Sequence, residues 1–181
     1  QLLLAESQLL RDGGRTKEAY ELLAGSLAAQ PEQPELLYES ALLAEKLGRH
    51  EAMEASLRKL IRLKPEHAHA YNALGYSFAE RNQRLEEAEQ LVVKALQLSP
   101  DDPFIIDSMG WVLYRKGDNQ GALTHLQRAF SIRPDPEISA HLGEVLWALG
   151  RRDEAKRIWQ EAAKAHPGNE VLAEVIKRFA P

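Results

Sequence analysis

Two histidines are the first candidates for chemistry in this 181-residue sequence, because His67 and His69 stand only two residues apart. Imidazole nitrogens are common zinc ligands, and a zinc site needs three or four ligands around one point. Side chains two residues apart on a helix point in different directions, however, and no third ligand is predictable near this pair. The pattern therefore predicts no metal site.

A serine, an aspartate and a histidine offer a second chemistry, the nucleophilic attack of a hydrolytic triad. Asp107 and Ser108 could combine with His125 or His141. A nucleophilic serine of this kind often stands on a strained strand-to-helix turn, and the surrounding sequence has no such turn. Ser108 is better explained as a small residue beside Gly110 at a contact between helices.

Composition narrows the functional classes further. The glycines form no phosphate-loop motif, and the chain has no cysteine. The net charge is 23 − 27 = −4, so a general attraction to nucleic acid phosphates is absent. No apolar run approaches the roughly 18 residues of a membrane span. We predict that the protein is not an enzyme, has no catalytic residues, metal or cofactor, and does not bind nucleic acid.

Five prolines repeat along the chain at intervals of 34, 35, 34 and 33 residues. They are Pro31, Pro65, Pro100, Pro134 and Pro167. A second series marks the points where the chain must turn between two helical patterns: Gly14, Gly48, Asn82, Gly117 and Gly150. Glycine and asparagine tolerate the left-handed conformation that ends a helix. Together the two series predict a repeated hairpin of two helices.

Small residues recur in step with the prolines and the turns. One series lies midway along each first helix, where two helix axes could approach closely: Ser7, Ala41, Gly75, Gly110 and Gly143. Another series, which is alanine at four of its five positions, lies early in each second helix: Ala19, Met53, Ala88, Ala122 and Ala155. A helical protein rich in leucine and alanine shows single coincidences of this kind, but not several series in one phase.

The order and spacing of these small, alanine and proline positions resemble the tetratricopeptide-repeat family, whose unit is a helix–turn–helix of about 34 residues. The resemblance covers essentially the whole chain. It implies an all-α fold, a right-handed superhelical solenoid that forms a single domain over residues 1–181. The five expected repeats are 1–33, 34–67, 68–102, 103–135 and 136–169.

The two ends of this stack differ in sequence. Residues 169–180 predict a capping helix with one apolar face and one face that meets water. The apolar face comprises Val171, Leu172, Val175, Ile176 and Phe179, and the charged face comprises Glu170, Glu174, Lys177 and Arg178. At the other end Leu2, Leu3 and Leu4 would need cover from preceding repeats or from another chain. We therefore expect a longer protein with further repeats before this segment.

The family resemblance also implies a concave groove, lined mainly by the first helix of each repeat, that holds a partner protein or peptide. Large amphipathic rings are common anchors of protein interfaces. The alternative is that some of these rings pack between adjacent first helices. The residues expected to contact a partner are Tyr38, Asn72, Tyr76, Asp107, Trp111, Tyr114, Arg115, Glu144 and Trp147.

Acidic residues outnumber basic ones on this predicted inner surface. The acids are Glu35, Glu45, Glu80, Asp107, Glu137 and Glu144, and the bases are Lys46 and Arg115. We hypothesise a ligand that is apolar or aromatic and is flanked by basic residues. A solvated polar face without ligand preference is the alternative.

Two stretches, "DDPFIIDSMGWVLYRKG" and "DPEISAHLGEVLWALGRRDEAKRIWQEA", are also similar to the C-terminal repeats of long bacterial tetratricopeptide lipoproteins. Members of that group are tethered to the outer membrane, and some deliver substrates to a periplasmic carboxyl-terminal processing protease. The resemblance implies an adaptor in the bacterial periplasm, tethered through a preceding segment. A cytoplasmic protein is the alternative.

Three functional classes remain open. A protein-binding scaffold or adaptor agrees with the repeats, the rings and the mild acidity. Self-assembly into a homo-oligomer through the N-terminal hairpin is the second class. An RNA-binding helical repeat is the third, and the charge balance argues against it because RNA recognition requires a basic surface.

Overall fold

The computed structural model describes residues 2–180, which form eleven α-helices joined by short connections. The all-α solenoid predicted from the sequence is confirmed. The helices are α1 (Leu2–Asp12), α2 (Thr16–Ala29), α3 (Pro34–Lys46), α4 (His50–Leu63), α5 (Ala68–Glu80), α6 (Leu85–Leu98), α7 (Pro103–Lys116), α8 (Asn119–Ile132), α9 (Pro136–Ala148), α10 (Arg152–Ala165) and α11 (Glu170–Phe179). Each of the five predicted repeat ranges contains one pair of helices.

Left-handed residues end the first helix of every hairpin, as the turn series predicted. Gly14, Gly48, Gly117 and Gly150 have φ angles between 68° and 92°, and Asn82 has a φ of 52°. The third hairpin has one extra residue in its turn. Arg84 there adopts a second left-handed conformation, with a φ of 49°, and α6 begins directly after it.

Two of the first helices, α7 and α9, begin with a capping aspartate followed by proline. Before α7 the carboxylate of Asp102 accepts the backbone N–H groups of Phe104 and Ile105, at 2.9 and 3.3 Å. Pro103 occupies the first turn, where a missing N–H removes no helical hydrogen bond. Asp135 and Pro136 begin α9 in the same way.

Close approach between the two helices of a hairpin depends on the small residues midway along each first helix. A Cβ atom added at Gly75 would lie 2.8 Å from Cγ2 of Val92, and one added at Gly110 would lie 2.7 Å from Cγ of Leu126. At Gly143 the added atom would lie 2.0 Å from Nε1 of Trp159. The predicted role of these three positions is confirmed.

The first helices form a continuous row along the inside of the solenoid. Helix α5 contacts both α3 and α7, and α9 contacts both α7 and α11. Helix α11 packs on α9 and α10, so it continues the row as the first helix of a further repeat would. The inner surface therefore consists of α3, α5, α7, α9 and α11.

The two ends of the stack are covered to different extents. In α11 the side chains of Leu172 and Val175 are buried against the last hairpin, as predicted for a cap. In α1 the expectation of three uncovered leucines is wrong in part, because Leu3 and Leu4 pack against the core cluster of the first hairpin. Leu2 is 89% exposed. No helix among residues 2–180 is long and apolar enough to cross a membrane.

We predict that Gly143→Ala destabilises the protein by about 3 kcal/mol, because the new methyl group must displace the fully buried indole of Trp159. Gly25→Ala is the matched control, since an added Cβ in α2 meets nothing within 4 Å. The control should be neutral or stabilise by up to about 1 kcal/mol. Urea denaturation measures both. Equal stability of the two variants would contradict the packing argument.

Candidate partner-binding site

A group of polar and aromatic side chains on the inner surface surrounds a cavity of about 270 Å³ between α5, α7, α9 and α11. Tyr76 comes from α5 and Trp111 from α7. Helix α9 contributes Glu137, His141 and Glu144, which share one helix face because they are four and three residues apart. Three adjacent first helices therefore combine to form one site.

A buried pair of charged groups forms the floor of this site. Nδ1 of His141 lies 2.9 Å from Oδ2 of Asp107, and both residues are more than nine-tenths buried. The rings of Trp111 and His141 are stacked, with their centroids 4.1 Å apart and an interplanar angle of 20°. The pair thus joins α7 to α9 beneath the cavity.

The protonation state of His141 follows from two opposed effects. Burial alone lowers the pKa of an imidazole, but the charge of Asp107 and its hydrogen bond raise the pKa of His141 to about 8. Glu137 and Glu80 act in the same direction. His141 is therefore a cation at neutral pH and is paired with the Asp107 carboxylate.

Tyr76 closes one side of the cavity as a neutral phenol. Its hydroxyl donates to Oε1 of Glu137 at 3.0 Å and lies 3.4 Å from Nε2 of His141. Burial raises the pKa of Tyr76 far above its ordinary value, and the neighbouring Glu137 charge adds to this effect. The phenol is consequently a hydrogen-bond donor and not a nucleophile.

Glu144 lies on the opposite side, where α11 approaches α9. Its carboxylate accepts a hydrogen bond from the guanidinium of Arg178, and the hydroxyl of Tyr114 lies 3.5 Å from Oε1. Burial raises the pKa of Glu144, whereas the Arg178 charge opposes that rise. Glu174, Val171 and Val175 of α11 complete this wall.

Trp111 lies near Tyr114 and Arg115 and has one polar group without a hydrogen-bond partner among residues 2–180. The Tyr114 ring lies 5.1 Å from it, and the Arg115 guanidinium lies 6.0 Å from its centroid. Arg115 Nε also donates to the carbonyl of Ala79 at 3.1 Å. The indole Nε1 is buried and finds no hydrogen-bond acceptor among residues 2–180.

Comparison with known families agrees with this geometry. Tetratricopeptide-repeat profiles match residues 34–67, 53–103 and 113–177, which together extend over most of the chain. The chain belongs to the tetratricopeptide-repeat family. Repeat proteins of this kind bind other proteins through the concave surface that stacking creates.

Individual relatives match different parts of the chain. A TPR repeat-containing protein of Pseudomonas aeruginosa is 44% identical over 144 residues, which is 80% of this chain and 24% of that protein. The Drosophila melanogaster protein O-mannosyl-transferase Tmtc1 is 37% identical over 103 residues, 54% of this chain and 12% of that protein. The chain therefore spans a quarter or less of the length of these relatives.

The fold has a close counterpart among solved structures. A thermophilic TPR protein of Thermus thermophilus superimposes with a TM-score of 0.85 at 25% identity, over 99% of this chain and 96% of that one. The similarity extends over all five helical hairpins and the last helix.

The structure brings together six of the nine residues that the sequence proposed as partner contacts. Two of these six are less accessible than expected, because Asp107 and Trp111 are each only 4% exposed. Asp107 is therefore a supporting group for His141 and not a surface charge. The six are Tyr76, Asp107, Trp111, Tyr114, Arg115 and Glu144.

The other three proposed residues lie elsewhere. The Tyr38 ring lies 5.2 Å from the His67 ring, beside a separate cavity of about 220 Å³ near the first two repeats. Asn72 is half-buried. Trp147 packs against Trp159 and Phe179, with ring centroids 5.9 and 5.8 Å away. The capping helix and the last hairpin provide these aromatic neighbours, so Trp147 joins the core at this end of the tetratricopeptide stack.

Some residues that line the cavity in the structure are not predicted from the sequence. His141 follows Asp107 by 34 residues, one repeat length, and this spacing puts the two on adjacent first helices. Glu174 and Arg178 were expected to meet only water, yet both line the cavity. Their position depends on how α11 docks, which a helical pattern alone does not specify.

The residues considered for other chemistry have local roles. His67 accepts the backbone N–H of Ala70 at the start of α5, and His69 lies 3.5 Å from Asp102. The Ser108 hydroxyl donates to the carbonyl of Phe104 in its own helix and not to His141. Among residues 2–180 no group of three or more histidine or acidic side chains has the arrangement of a metal site.

We predict that stability falls by on the order of 2 kcal/mol between pH 6 and pH 9 because of His141. Its pKa is raised from 6.5 to about 8 on folding, so its contribution is complete below pH 6.5 and is lost as the pH rises through 8. Urea denaturation of the native protein and of Asp107→Asn at both pH values isolates this effect. The fall should disappear in Asp107→Asn, where burial keeps the imidazole neutral; the same fall in both proteins would contradict the assignment.

Proposed function

We propose that this chain is a protein–protein interaction scaffold that holds a segment of a partner protein in the cavity between α5, α7, α9 and α11. The observation that carries the proposal is the convergence of Tyr76, Trp111 and Glu144 from three consecutive first helices on one concave site. Tetratricopeptide repeats form such scaffolds in general, because stacked hairpins curve around an extended concave surface.

The size of the cavity fits a side chain of a partner better than a complete small molecule. Pockets for small molecules usually have volumes of about 300–1,000 Å³. At about 270 Å³, this one lies just below that range. It therefore suits one or two side chains of a longer segment whose main chain runs along the inner row of helices.

We further propose that the protein acts in a bacterial envelope complex as the tethered adaptor that the sequence resemblance implied. The 44% identity to a Pseudomonas aeruginosa TPR protein supports a bacterial setting. Fractionation of cells that produce the full-length protein tests the tether: we expect it in the outer membrane, together with labelled fatty acid. Recovery in the cytoplasmic fraction without lipid would remove this part of the proposal.

A cavity-filling variant tests the scaffold. Val171 lines the cavity and is 45% exposed, so Val171→Trp should fill the opening with little effect on folding. Peptides selected from a random display library on the native chain should bind this variant at least about tenfold more weakly, a loss of about 1.4 kcal/mol. Fluorescence anisotropy measures the affinities.

Val93→Trp is the matched control, because Val93 is 38% exposed on α6, an outer helix, and does not line the cavity. It should bind the selected peptides as the native chain does. Equal binding by all three proteins, or a library without any enriched peptide, would overturn the proposal. Light scattering at several concentrations of the native chain tests self-assembly through α1 as the alternative.

A further inference from the structure

We propose that the cavity binds a guanidinium or ammonium side chain of its partner, and that Arg178 occupies the carboxylate of Glu144 until that side chain replaces it. This inference rests on the proposed function, because it names the chemistry that the same site recognises. The ligand would be a lysine or arginine residue within a peptide segment.

The first argument is the charge of the cavity wall. Glu80, Glu137, Glu144 and Glu174 line it together with one guanidinium, that of Arg178, so the wall has a charge of 1 − 4 = −3. His141 adds no net charge, since the buried Asp107 carboxylate neutralises it. This excess of negative charge favours a cationic ligand.

Most carboxylates of the cavity wall form no ion pair with another residue among residues 2–180. Among residues 2–180 no lysine, arginine or histidine forms an ion pair with Glu80, Glu137 or Glu174; the hydrogen bond that Glu137 accepts comes from the neutral Tyr76. Like charges on one wall repel one another, and a cation near them offsets that repulsion. A basic side chain from a partner would relieve that repulsion.

The second argument is the guanidinium of Arg178, which already lies at the site. The Glu144 side chain is only 12% exposed, whereas the Arg178 side chain is 54% exposed. The carboxylate therefore belongs to the cavity wall, and the guanidinium reaches it from the solvent side. Exchange of this guanidinium for another cation would leave the Glu144 carboxylate paired, so the exchange does not create a buried unpaired charge.

The third argument is the set of uncharged groups beside these carboxylates. Tyr76 presents an aromatic ring at the cavity beside Glu137, and a cation near a ring face gains a further attraction. Trp111 is only 4% exposed and its indole Nε1 is buried, so the indole supports the wall and is closed to a ligand.

N-acetyl-arginine amide and N-acetyl-citrulline amide provide a direct test, because they have almost the same shape and differ in charge. Binding to the native chain is followed through the Trp111 indole N–H signal in two-dimensional NMR. We expect the arginine compound to shift this signal with a dissociation constant on the order of millimolar. The citrulline compound should leave the signal in place.

Charge-neutralising variants test the role of Arg178. Arg178→Ala should bind N-acetyl-arginine amide about two- to fivefold more tightly, since the internal competitor is gone. Lys177→Ala is the matched control: it removes the same charge from α11 at an exposed position that does not line the cavity, and its affinity should not rise. Glu144→Gln should lower the affinity about tenfold.

The outcomes distinguish failure of this inference from failure of the proposed scaffold function. If the arginine and citrulline compounds bind equally or both fail to bind, or if Arg178→Ala binds no better than Lys177→Ala, the inference is wrong. Peptides that bind the native chain and not Val171→Trp would still support a scaffold with a different preference. If the arginine compound does not bind and no selected peptide distinguishes the native chain from Val171→Trp, both the scaffold function and the inference are wrong.

Discussion

Close packing inside each hairpin is the constraint on which the rest of this structure depends. Neither helix of a pair can bury its apolar face alone, so the two must approach closely and then stack on the next pair. The approach requires a residue without a bulky side chain midway along the first helix. At Gly143 this space is filled by the indole of Trp159, whose Nε1 donates to the carbonyl of Ala140. The resulting fixed geometry places successive first helices side by side, and the inner cavity is a consequence of that row.

The end of the stack has two roles because a capping helix must cover one hairpin and still meet solvent. Leu172 and Val175 of α11 cover the last repeat. The same helix lies where a sixth first helix would lie, and its Arg178 therefore reaches the groove. The docking of α11 therefore both covers the last hairpin and completes one wall of the cavity. A change that displaced α11 would expose the core around Trp159 and open one wall of the cavity.

The charge of the cavity differs between its floor and its rim. The buried Asp107 and His141 neutralise each other, and stacking on Trp111 fixes the imidazole plane. Removing one partner of such a pair leaves an uncompensated buried charge, which is costly. Nearer the rim, Glu137 and Glu144 are bonded to groups that hold their carboxylates in place. The negatively charged carboxylates at the opening therefore lie above a buried ion pair whose net charge is zero.

The sequence by itself determined the repeat, the hairpin turns, the small residues at helix contacts and the cap, because each of these depends on local conformation or on helical spacing. It also identified Tyr76, Trp111 and Glu144 as inner-surface residues. Only the tertiary structure decided that Asp107 is buried against His141, that Trp147 belongs to the aromatic core with Trp159 and Phe179, and that Arg178 lies at the cavity. These three outcomes depend on the rotation between neighbouring repeats and on the docking of α11. That rotation is set by the packing of many side chains at once, which no single spacing in the sequence records.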